Sequence, residues 1–144
     1  RAAHVGSRDR CAGEPHDHGE YVFCLDDILA YRKFEDSVAC GCYEVDIHNP
    51  SGTGTRLIYL KSDDYYTIPL RCLLPRGLNN VLVAGRCISS THEAQSAYRI
   101  MPIVCNIGEA AGLAAAIANR HSVALRSIDV EELHALLKKY GGRY

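Results

Sequence analysis

The sequence predicts a mixed α/β fold, and three observations carry that prediction. Val81-Leu82-Val83-Ala84 is a short apolar run that stops at Gly85, the pattern of a buried parallel strand. A long apolar segment follows, with Pro102 near its start, a favoured first-turn position for a helix. Upstream, residues 42–47 alternate as CYEVDI, the pattern of a half-buried strand. The apolar segment holds Gly108, Ala110, Ala111, Gly112, Ala114, Ala115, Ala116 and Ala118, which predicts a thin helix whose backbone lies close to a neighbour. A strand, a glycine turn and a helix N-terminus facing a crevice is the arrangement with which α/β folds hold anionic cofactors. The same pattern also describes a tightly packed core helix behind an ordinary strand.

Taken in order, residues 1–18 are polar and carry His4, Cys11, His16 and His18. They read as a flexible terminal segment or, less economically, as a weak metal chelate built on His16-Asp17-His18. Residues 20–24 read as a short strand and 25–32 as a short helix with Ile28 and Leu29 inward. After the 42–47 strand, His48-Asn49-Pro50 and Ser51-Gly52-Thr53-Gly54 are turn chemistry. Gly52-x-Gly54 lacks a third glycine and runs into TRLIYL, so it is not a dinucleotide loop. Residues 55–60 and 66–74 read as strands around the turn at 61–64, with Pro69 and Pro75 placing the second at an edge or bulge. Residues 76–80 form a loop into the apolar run. Past the small-residue helix, 121–126 reads as a linker or short strand. Asp129 then has N-cap spacing, with Glu132 placed to reach back as in a capping box. Val130, Leu133, Leu136, Leu137 and Tyr140 make one apolar face, Lys138 and Lys139 suit the C-terminal dipole, and Gly141 ends the helix.

Composition narrows the function classes. At 144 residues and 47% hydrophobic content, the chain suffices for one cored domain. A formal net charge of −1 and the lack of any basic run argue against a nucleic-acid surface. Ile100 to Ala118 comes nearest to a membrane span but contains Glu109 and two glycines, so no membrane partner is expected. The seven cysteines are odd in number and irregularly spaced, with no CxxC, so neither zinc nor an iron–sulfur cluster is indicated and a reducing cytoplasm fits. The first residue is Arg1 and the only methionine is Met101, so the chain is expected to be a portion of a longer protein.

The stretch YYTIPLRCLLPRGLNNVLVAGRCISSTHEAQSAYRIMPIVCNIGEAAGLAAAIA resembles the C-terminal part of a family of FAD-dependent oxidoreductases. That family is similar, more distantly, to the flavoproteins of fumarate reductase, succinate dehydrogenase and heterodisulfide reductase. VAGRCIS, THE and GEAAG are specific as a set, DIHNP at 46–50 is a second marker, and the match runs roughly from Gly19 to Gly142. The resemblance implies a division into residues 1–18, poorly matched; 19–75, part of a β-rich substrate region; and 76–144, the C-terminal part of a Rossmann-like FAD-binding domain. It implies FAD as cofactor, and His92 and Arg99 beside the flavin, facing a small-molecule substrate. Arg is a planar fork for a carboxylate and His moves a proton near neutral pH. The bland alternative has Arg99 pairing with Glu93 or capping a strand end. His48 is a third catalytic candidate, with lining of the turn beside Asp46 equally open. Gly85 and Arg86 are expected at the ribityl chain or pyrophosphate. Met101 and Ile103 are expected to offer backbone N–H groups to the flavin ring, with Gly108 and Gly112 on the flavin-facing helix and Glu109 a plain solvated or capping carboxylate. The family usually has Thr where Cys24 stands, and losing that hydroxyl at a helix start costs about 1 kcal/mol.

The expected function is transfer of a hydride or two electrons between a small substrate and flavin, with this portion inactive without the remainder of the protein. Two alternatives of other classes are a non-catalytic α/β binding module and a small metal-binding protein using the histidines and cysteine of residues 1–18.

Overall fold

The computed structural model describes residues 19–48, 54–61 and 63–144. Its elements are α1 (Leu25–Leu29), β1 (Ser37–Gly41), β2 (Val45–His48), β3 (Thr55–Ile58), β4 (Tyr66–Pro69), α2 (His92–Tyr98), α3 (Met101–His121) and α4 (Val130–Tyr140). Turns of 3₁₀ helix lie at Leu70–Cys72, Gly85–Cys87 and Leu125–Ser127. The architecture is mixed helix and strand, as the sequence predicts. The proposed metal ligands of residues 1–18 and the turn at Gly52 lie outside the described residues.

Two antiparallel pairs make up the strand content: β1 with β4, and β2 with β3. In the first pair Gly41 faces Tyr66 and Ala39 faces Ile68, with an irregularity between Ser37 and Ala39. In the second, Val45 faces Ile58 and His48 faces Thr55. The 66–74 strand stops at Pro69, which cannot continue a ladder as donor, and turns into the 3₁₀ segment. The predicted strand at 20–24 is reduced to two isolated bridges, Gly19 with Pro75 and Phe23 with Ser90.

The largest departure is the apolar run at 81–84, which forms no strand. Among the described residues its only backbone bond is from the Val83 N–H to the Leu73 carbonyl, at 2.9 Å. A strand needs a neighbour to close its ladder, and among the described residues no other strand lies alongside. Val81 is exposed and Leu82, Val83 and Ala84 are half-buried.

The core gathers Phe23, Ile28, Val38, Tyr66, Ile68, Leu73, Tyr98, Ile107, Ile117, Leu133 and Leu137, all essentially buried. Phe23 meets Tyr66 at 5.8 Å and Tyr98 at 6.3 Å between ring centroids, in the range aromatic pairs prefer. α3 packs against β1 and α4. The close backbone approach predicted for Gly108 and Gly112 occurs instead at Gly41 of β1, where a Cβ would lie 2.6 Å from Ile103 Cδ1. No atom lies within 4 Å of a Cβ placed on Gly108 or Gly112. By length and composition alone α3 is long and apolar enough to cross a membrane, with Glu109 and two glycines inside it, as read from the sequence. Its buried residues, Ile103, Ile107, Ala110, Ala111, Ala114, Ile117 and Ala118, are those of a core helix.

Local chemistry sets the helix ends. Cys24 stands at the α1 N-cap with its own N–H and S–H turned to the Asp27 carboxylate, at 3.1 and 3.4 Å. Asp27 is buried and also accepts from the Tyr21 hydroxyl at 2.9 Å and pairs with Arg32 at 2.8 Å. The helix start therefore rests on Asp27, which compensates for the missing cap hydroxyl. Asp129 caps α4 by accepting the Glu131 N–H at 2.9 Å, and Gly141 ends it at φ +86°. Glu132 does not reach back to Asp129: it pairs with Arg120 and, at 3.0 Å, with His121 at the end of α3. Tyr140, expected on the apolar face, is 60% exposed.

Candidate functional site

The stretch from Ala84 to Ile103 is built as a chain of short, mutually fastened pieces. Gly85 takes φ +79°, a left-handed conformation that glycine adopts without penalty, and opens the 3₁₀ turn Gly85–Cys87. Residues 88–91 then run extended beside Phe23: its N–H bonds the Ser89 carbonyl at 3.0 Å, and the Thr91 N–H bonds the Phe23 carbonyl at 2.9 Å. Thr91 caps α2 by accepting the Ala94 N–H at 3.3 Å. Residues 92–98, to which the sequence pattern assigns no element, are this helix, and Thr91 was the readable signal for it. Arg99 is its C-cap, Ile100 is the N-cap of α3, and Pro102 stands in the first turn as predicted.

Arg86 ties the turn to this corner from both ends. Its Nε donates to the Arg99 carbonyl at 2.8 Å. Its own carbonyl accepts from Gln95 Nε2 at 2.9 Å and from the Tyr98 hydroxyl at 3.4 Å. Tyr98 also shares a 2.8 Å bond with Ser90 Oγ. Burial pushes the Tyr98 hydroxyl up to about 12, against a lowering by that Ser90 bond. Gln95 and Tyr98 were not anticipated, because nothing in their spacing distinguishes them from ordinary helix residues.

Arg99 does not pair with Glu93. Its Nη2 donates to Asp46 Oδ2 at 3.2 Å and to the Asp46 carbonyl at 3.4 Å. This joins the α2–α3 corner to β2, which also packs on α2. His48 is the last residue of β2, two positions beyond Asp46. His92 is exposed at the other end of α2. Seven residues at the helical rise put it about 10 Å from Arg99 along the axis. The two therefore stand at opposite ends of α2.

His92 lines an open cleft of about 680 Å³ with Val83, Arg86, Cys87, Ser89 and Glu93. Ser89 Oγ is buried and has no hydrogen-bond partner among the described residues. Cys72, also at this cleft, is fully buried, and burial holds its thiol well above the ordinary value, so it is protonated and inert. Arg99 and Asp46 lie outside the cleft lining. Among the described residues no three His, Cys, Asp or Glu side chains gather as a metal site.

The positive corner formed by Arg86, Arg99 and the start of α3 is followed on the same helix by exposed Met101, Cys105, Gly108 and Gly112. The profile of the FAD-dependent oxidoreductases matches residues 16–137 of this chain. The chain belongs to that family. Neither the curated proteins nor the solved structures include a significant match to it. Membership in that family implies FAD binding and a flavin-linked redox role. At the start of α3 Met101 is 74% exposed, Pro102 has no N–H, and Ile103, expected to offer its N–H to the flavin ring, is 4% exposed. The sequence holds no GxGxxG for the pyrophosphate.

Proposed function

We propose that this chain supplies the flavin-ring and substrate side of an FAD-dependent oxidoreductase with Rossmann-like architecture, acting on a small molecule that carries an anionic group. The observation that supports this reading most directly is the corner where Arg86 Nε holds the Arg99 carbonyl at 2.8 Å immediately before the N-terminus of the 21-residue α3. Bound FAD supplies two-electron chemistry, and the protein residues orient and tune it. The Met101 N–H and the α3 dipole would stabilise negative charge on the flavin ring. Gly85 brings the backbone close to the ribityl chain, and Arg86 carries the positive charge beside it. Arg99 receives the anionic group of the substrate, and His92, at the far end of α2, holds or moves a proton. His48, at the end of β2, is the third group in this scheme. The missing pyrophosphate turn is the contribution of the remainder of the protein, so residues 1–144 alone hold FAD weakly and turn nothing over.

The test has two arms. Arg99→Ala in the flavin-loaded protein lowers turnover strongly and keeps the flavin. Loss of flavin with normal turnover per bound flavin contradicts the substrate role. Titration of the 144-residue chain with FAD, followed by flavin fluorescence, gives no tight binding. A yellow complex that survives gel filtration overturns the division of labour.

A further inference from the structure

We propose that Asp46 is the positioning residue for Arg99, setting the direction in which its guanidinium meets a substrate oxyanion; this rests on the reading of Arg99 as substrate-facing. The backbone of Arg99 is fixed on both sides. Its N–H bonds the Gln95 carbonyl at 3.1 Å and its carbonyl accepts from Arg86 Nε at 2.8 Å. The side chain has four further torsions, and the contact that selects among them is the Asp46 carboxylate.

The two partners are unequal. The Asp46 side chain is 18% exposed, and it stands inside β2 in register with Leu57. The Arg99 side chain is 37% exposed. The carboxylate is thus the anchored half and the guanidinium the adjustable one. The contact engages Nη2 only, at 3.2 Å to the carboxylate and 3.4 Å to the carbonyl, so the described bonds leave Nε and Nη1 uncommitted. Arg has five N–H donors in a rigid fork, and one used nitrogen leaves an edge for a second oxyanion. A partly exposed ion pair contributes little to stability, so a purely structural role predicts a nearly silent substitution. Positioning predicts a specific one: fixing a long side chain before the ligand arrives removes an entropy cost from binding.

The charge of Asp46 works against an incoming anion, and its acceptor geometry works for it. Asn keeps an acceptor and removes the charge, whereas Ala removes both. In the flavin-loaded protein, with malonate as carboxylate probe and affinity read by calorimetry, Asp46→Ala is expected to weaken binding about tenfold, within the range of contacting-pair couplings. Asp46→Asn binds malonate at least as tightly as the unmodified protein. In an Arg99→Ala background, where malonate binding is already lost, the further change Asp46→Ala leaves the melting temperature unchanged. Malonate affinity that is unchanged or raised in Asp46→Ala while Arg99→Ala abolishes binding overturns the positioning role and leaves the role of Arg99 standing. Unchanged affinity in Arg99→Ala removes both. Melting temperatures of each variant accompany the titrations. An Asp46→Ala effect that persists without Arg99 assigns the residue to the fold and overturns the proposal.

Discussion

On one face of α3, Ile103, Ile107, Ala110, Ala114 and Ile117 are buried against β1 and α4. On the other, Met101, Cys105, Gly108, Gly112 and Ala115 are exposed. Both faces are made of small or apolar residues, but only the first has a local reason to be. The buried alanines and Gly41 let strand and helix close on each other. The outer glycines touch nothing within 4 Å, yet each costs about 1 kcal/mol relative to alanine inside a helix. Residues that weaken a helix without serving its own core mark a surface shaped for something else.

The sharpest test of the inner face is Ile107→Ala, which leaves a cavity in a fully buried site and should cost about 2–5 kcal/mol in denaturant unfolding. A loss below about 1 kcal/mol would mean that the inner face is loosely packed. Gly85→Ala probes the turn: a left-handed φ of +79° imposes roughly 1–2 kcal/mol on alanine, visible as a lowered melting temperature. Thr91→Ala removes the α2 cap and should cost about 1 kcal/mol, with loss of helical signal at most slight. On the outer face Gly112→Ala should stabilise the 144-residue chain by up to about 1 kcal/mol, whereas Gly112→Leu in the flavin-loaded protein should reduce flavin content. If both variants behave alike in both settings, the two faces do not differ in kind. The smallest effect is in alkali. The Tyr98 hydroxyl titrates near 12 when folded, above its ordinary value, so the unfolded chain releases that proton first. Its contribution to stability is full below the ordinary tyrosine value and is lost as pH rises toward 12. Tyr98→Phe should flatten that decline in urea midpoints.

What the sequence made legible was whatever depends on local rules. Pro102 opened α3, Asp129 and Gly141 bounded α4, the alternation at CYEVDI marked β2 and TRLIYL marked β3, while the pairing of β2 with β3 and of β1 with β4 was not readable. What stayed hidden depends on neighbours. β1, residues SVACG, has no alternation because nearly all of it is buried. α2 is seven residues long, too short for periodicity to register. The 81–84 run has every local mark of a strand, but a strand exists only with a ladder partner. Asp27 looked like any first-turn acid, and its burial beneath Tyr21 and Arg32 is a tertiary fact. At the site, the resemblance placed Arg86 and Arg99 in one region, and the structure joined them. It set His92 at the far end of α2 and gave Arg99 an acidic partner from a distant strand, which no spacing rule announces.

The unladdered run at 81–84 also gives the chain an internal reporter. Among the described residues the Val83 amide alone has a backbone acceptor there, while the flanking Leu73 and Ser89 amides are bonded to Leu70 and Cys72. In deuterium exchange, the amides of Val81, Leu82 and Ala84 should label within the dead time, between two protected segments. Were a strand to pair with the run, the same amides would become slow. The labelling rate of this short apolar run would then report whether a ladder partner has formed beside it.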